Sequence, residues 1–91
     1  GVSGSAAQKI AQKMRSLAEK KQVICVSHLP QLAAVAQNHL LIKKTERDGR
    51  TFTGVTPLDA EGRIAEVARI IDGSNPSAAA LEHARVMIEN A

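Results

Sequence analysis

The stretch Gln22-Val23-Ile24-Cys25-Val26-Ser27-His28-Leu29-Pro30-Gln31 decides the reading of the chain. Val23 to Val26 run without a polar break, and three of these four residues are Val or Ile. β-Branched side chains favour a pleated, packed surface. A short continuous apolar run bounded by turn signals predicts a strand buried on both faces, as in parallel sheets. Pro30 has a fixed φ and no N–H to satisfy, so it suits the first turn of a helix. The Ala-rich segment 31–37 continues that helix. The polar pair Ser27-His28 therefore sits where a buried strand meets a helix, and ligands of open α/β sheets bind at the carboxyl ends of strands.

Working outward on the N-terminal side, Gly1 to Ser5 is a small, uncharged opening, and Ser3 or Ser5 is a candidate N-cap. Residues 6–20 carry a helical pattern, with Ala7, Ile10, Ala11, Met14, Leu17 and Ala18 on one face. Lys9, Lys13 and Lys20 form a second stripe, read as a solvated face. A helix leading into a buried strand is half of a βαβ unit. The other half would precede Gly1, so a segment of a longer protein is expected.

On the C-terminal side, His39 to Lys44 predicts a second strand and Thr51 to Pro57 a return strand. Asp48-Gly49 between them is a strong hairpin signal. Gly54 marks a candidate bulge or close approach. Lys43, Lys44, Arg47 and Arg50 cluster on this hairpin and are read first as protecting a sheet edge. DNA binding is the lesser reading there, because no aromatic residue is interleaved for stacking. Asp59 caps a helix over 60–71 whose buried face is Ile64, Val67, Ala68 and Ile71, and Gly73 is its C-cap. A last helix covers 77–90 with Ala80, Leu81, Ala84, Met87 and Ile88 as its apolar side.

The 91 residues allow one small domain or part of one. A chain this short buries only about 60–65% of its unfolded surface. Phe52 is its one aromatic residue, so the core must be aliphatic. A net charge of +3 permits nucleic-acid contact without implying it. The single cysteine, Cys25, excludes an internal disulfide and fits a reduced, cytosolic setting. No apolar run approaches the roughly 20 residues of a membrane helix, and the opening residues do not form a signal peptide.

Among residues that could carry chemistry, His28 leads. An imidazole at a strand's end can hydrogen-bond an anion or orient a water; the competing role is satisfying local backbone groups. Ser27 could hold that imidazole or simply end the strand, and Gln31, in the next helix, could face the same site. His39 and His83 read as surface or structural residues. The histidines and Cys25 lack metal-ligand spacing, so no metal site is expected. No nucleophile elbow is present. Gly1-Val2-Ser3-Gly4 is not a GxxxxGK[ST] phosphate loop and by itself reads as a turn.

Taken together, Gly1-Val2-Ser3-Gly4, the helix, Val23 to Ala34 and the basic hairpin resemble the C-terminal part of the head domain of SMC-like ABC-type ATPases of bacterial DNA repair. The resemblance covers essentially the whole chain. It is most specific at Ser27 to Gln31, and the run Arg63 to Ser74 resembles the closing segment of the same proteins. It implies an α/β fold: a partial P-loop ATPase lobe with a central buried strand, a β-hairpin and flanking helices. It places His28 as the switch histidine at the ATP γ-phosphate, where Ser27 and Gln31 would share the nucleotide site. Gly1, Val2, Ser3 and Gly4 match the D-loop. The chain lacks the phosphate-binding loop, the Walker B acids and the signature segment, which carry most of the nucleotide and Mg2+ binding. ATP and Mg2+ are thus expected in the intact protein and not tightly on these 91 residues.

The resemblance further implies partners: the rest of the same head, a second head in a homodimer, and DNA through the whole protein, in the bacterial cytoplasm near the nucleoid, with no membrane. A lobe with an uncovered sheet edge is also expected to self-associate. The alternative is a self-sufficient interaction module that binds DNA or an acidic protein through its basic hairpin.

Overall fold

A computed structural model of the protein describes residues 4–91. It contains both helix and strand: α1 (Gly4–Ala18), α2 (Pro30–Val35), β1 (Leu40–Arg47), β2 (Arg50–Pro57), α3 (Ala60–Asp72) and α4 (Ala78–Glu89). Among the described residues the four helices pack together, and the two strands form an antiparallel ribbon that none of these helices covers.

The helix ends follow from capping chemistry. The Asp59 carboxylate accepts the Gly62 N–H at 2.7 Å, satisfying a donor that the first turn of α3 leaves free. Gly73, at φ 88°, closes α3 by donating its N–H to the Arg69 carbonyl at 2.8 Å; positive φ is where glycine carries no Cβ penalty. Asp72 then accepts the Ser77 N–H at 2.9 Å, and Ser77 Oγ accepts the Ala80 N–H at 3.1 Å. This relay reverses the chain and lays α4 back along α3.

The contact between α3 and α4 is built from Val67, Ala68, Ala80 and Ala84, flanked by Ala33, Ile64, Met87 and Ile88. Of the seven buried hydrophobic residues among those described, six are alanine. Small side chains let helix backbones approach closely, but each buries little area. Arg63 of α3 ties α2 into this group by donating to the Ala34 carbonyl at 3.2 Å and, more weakly, to that of Ala33 at 3.5 Å. A cation at a helix C-terminus meets both the orphan carbonyls and the negative end of the dipole.

The ribbon turns at Asp48 (φ 52°) and Gly49 (φ 73°), the pair of positive φ values that a two-residue hairpin turn requires. Register runs unbroken from Arg47↔Arg50 to Leu40↔Pro57. Gly54 therefore marks neither a bulge nor a close approach, the two roles open to it: it sits opposite Lys43 in register, and a Cβ built there would meet only the Lys43 carbonyl oxygen at 3.9 Å, an ordinary contact.

Other expectations are corrected as well. The run Val23 to Val26 is not a strand, and Ile24 and Val26 are 83% and 85% exposed. A strand buried on both faces exists only through neighbours on its edges and layers on its faces. The two strands among the described residues pair with each other and leave none for this run. Cys25 is exposed for the same reason. Ser5 lies inside α1 rather than capping it, and Ser3, the other cap candidate, is outside the described residues. Along α1 the apolar face is only half covered: Ala7 and Ala11 are buried, whereas Ile10 and Leu17 are exposed.

Candidate functional site

The candidate site centres on the turn from Ser27 to Gln31. Ser27 Oγ accepts the Leu29 N–H at 3.0 Å, a local side-chain turn that competes with regular structure and ends the preceding run. Leu29 is extended (φ −96°, ψ 126°) and Pro30 occupies the first helical position of α2. The serine therefore has a defined job in shaping the turn. His28 projects from that turn, exposed, and hydrogen-bonds no other described residue.

Gln31 lies one position into α2 and is half-buried. Its Nε2 is 3.7 Å from where a Cβ on Gly4 would stand. The fold thus brings together two of the sequence-selected residues, Gly4 and Gln31, from opposite ends of a 27-residue separation in chain numbering. Gly1, Val2 and Ser3, the remaining D-loop candidates, lie outside the described residues.

Gln31 also lines a cleft of about 630 Å³ between α1, α2 and the ends of α3 and α4. Its wall includes Gln8, Gln12, Arg15, His83 and Asn90 as polar groups. His28 and Ser27 are not part of that wall. Arg15 escaped notice in the sequence. Its signal was available: Ala7, Ala11 and Arg15 follow at four-residue steps, so the buried stripe of α1 runs out into the cleft at Arg15. His83 reads from sequence as surface or structural, and it is exposed at this cleft.

The proton affinity of His39 is lowered by its surroundings. Half-buried at the base of the ribbon, it is pushed below its ordinary value, first by desolvation and then by the Arg63 charge, with Glu66 opposing. Its Nδ1 is buried without a hydrogen-bond partner among the described residues. Desolvation disfavours the charged imidazole. The unfolded chain therefore binds a proton that the folded chain resists, and stability rises with pH across that interval. Full stability is expected above about pH 6.5, the ordinary value, with loss as pH falls below it. Melting from pH 7.5 to 5.5 should show this fall, and His39→Asn should flatten it. An equal slope in both proteins would remove His39 as the cause.

Among the described residues no three His, Cys, Asp or Glu side chains come together to hold a metal ion, and no helix is long and apolar enough to cross a membrane.

No protein-family model matches the chain. Individual relatives do, and over its full length. The chain is 43% identical over 91 residues to DNA repair protein RecN of Bacillus subtilis (strain 168), and 45% identical over 91 residues to that of Mycobacterium tuberculosis (strain H37Rv). Along its whole length the chain is similar to the C-terminal part of these RecN proteins. RecN of Halalkalibacterium halodurans matches at 45% over 89 residues, or 98% of the chain. The chain spans only about 16% of the length of these RecN proteins. The name of these relatives assigns them to DNA repair.

Proposed function

We propose that the chain is the C-terminal segment of an ATP-hydrolysing, SMC-like DNA repair protein that acts in recombinational repair of double-strand breaks. In this reading the described fold is the far edge of a P-loop ATPase head. The observation that carries it is the match to RecN across the whole chain, joined to the position of His28 directly after an apolar run whose Ile24 and Val26 lie open to solvent. Such a run is what a strand leaves behind when its sheet neighbours come from elsewhere in a protein.

The residues fit one wall of a nucleotide site. His28 is an exposed imidazole free to hydrogen-bond a phosphate oxygen and to orient a water, and Gln31 offers an amide beside Gly4. Ser27 keeps the turn in shape through Leu29 and so positions His28. Mg2+, which offsets phosphate charge when bound, is assigned in this reading to the rest of the head. The rest of that head, a second head and DNA are the partners in this reading, and the exposed Val23 to Val26 run is the surface that a neighbouring strand would cover.

The test compares ATP turnover by the complete polypeptide with that of the 91-residue chain. Turnover by the first and none by the second is expected, because phosphoryl transfer needs a phosphate cradle and a metal site as well as a histidine. Robust turnover by the short chain, or none by the complete one, would refute the reading.

A further inference from the structure

We propose that the β1–β2 ribbon is a single-stranded DNA contact, with Lys43, Arg47 and Arg50 gripping the phosphodiester backbone and Phe52 forming a stacking platform for a base. The choice of DNA rests on the repair role proposed above; the geometry is independent of it. Side chains alternate across a strand, and directly paired residues share a face. The pairs Lys43↔Gly54, Thr45↔Phe52 and Arg47↔Arg50 therefore lie on one face of the ribbon. That face carries three cations and no acid, while Glu46 falls on the other face with Lys44. Phe52, the one aromatic residue of the chain, stands in the middle of the basic row and is 44% exposed. The interleaved aromatic that the sequence seemed to lack is supplied by strand pairing.

Two further observations support a ligand here. The Arg47 guanidinium lies 5.1 Å from the centre of the Phe52 ring, a cation–π contact that joins charge and ring on one face, the two groups on which phosphates and bases settle. Arg47, Arg50, Phe52 and Asp48 together border a concavity of about 570 Å³ at the ribbon's tip; Asp48 is the single anion at that rim. In contrast to the helical arginines, the cations of the ribbon are not neutralised by acids of the fold. Arg69 pairs with Glu66, Arg85 with Glu82 and Glu89, and Arg63 with the end of α2. No described residue forms an ion pair with Lys43, Arg47 or Arg50. A basic row interleaved with an aromatic ring suits single strands, whose unpaired bases offer a π-face; an acidic protein would have no use for the ring.

The experiment is fluorescence anisotropy of a labelled 30-nucleotide dT strand with the 91-residue chain, without ATP, over a salt series. Replacing Lys43, Arg47 and Arg50 together by Gln should weaken binding about tenfold or more and flatten the log–log salt slope by about 2. Phe52→Leu should weaken single-strand binding about tenfold and leave duplex binding unchanged. A Lys9→Gln/Lys13→Gln/Lys20→Gln variant is the control and should keep most of the affinity. All these side chains are exposed, and circular dichroism checks that each variant keeps its fold. Unchanged binding by the ribbon variant, an equal loss in the control, no effect of Phe52→Leu, or equal binding of poly-glutamate would each overturn the proposal. Because ATP is absent, failure here leaves the turnover result standing, and failure there leaves this one.

Discussion

Replacing His28 with alanine in the complete polypeptide is expected to lower ATP turnover by about 100- to 10,000-fold, the usual contribution of a positioned acid–base group, while nucleotide still binds. The structure makes the substitution clean. His28 is exposed, and no described residue depends on it for a hydrogen bond, so removing the ring does not disturb the fold. The turn that presents it is held by Ser27 and Pro30, and both remain. A surface residue changed to alanine ordinarily alters stability by less than about 0.5 kcal/mol, so a collapse of turnover with an unchanged melting temperature would assign the loss to chemistry. Unchanged turnover would sink the switch-histidine role and favour a module that acts only through its surface.

Val67→Asp should abolish cooperative folding of the helical part. Val67 is fully buried, and it is the largest side chain so enclosed. Its neighbours Ala68, Ala80 and Ala84 offer no hydrogen-bonding side chain. A carboxylate there would be buried unpaired, at a cost on the order of 3–5 kcal/mol, or would stay protonated and still lack partners. The whole stability of a domain this size is on the order of 5 kcal/mol. Urea unfolding followed by circular dichroism measures the effect. A transition within about 1 kcal/mol of the unaltered chain, by the scale of ordinary substitutions, would show that the α3–α4 contact is not the core.

These expectations also mark how far residue patterns reach. Asp59 and Gly73 announced their helix ends because capping is local chemistry, and each makes a capping bond; Ser77, read as the first residue of the last helix, caps it instead. Asp48-Gly49 announced the turn for the same reason. The segment Val23 to Val26 was misread as a strand within this fold because a strand depends on partners far away in sequence. Ile10 and Leu17 show the same limit: periodicity states which face is apolar, and packing decides how much of it is covered. Of the candidate site, the adjacency of Gly4 and Gln31 could not be read from spacing, since it arises from α1 packing on α2. The shared face of Lys43, Phe52, Arg47 and Arg50 was legible in principle. Once the two-residue turn is fixed, the parity of the positions follows.

At the base of the ribbon the Leu58 N–H donates to the His39 carbonyl at 2.9 Å and ties the two strand ends to each other, and among the described residues the strands rest on no helix. An isolated two-stranded hairpin is marginal in water. The chain thus consists of two cooperative units with separate fates: the strands can open and reclose while α3 and α4 stay intact. Their amide protons should trade with solvent on a different clock from those of the helical core, in the way that locally unfolding units do.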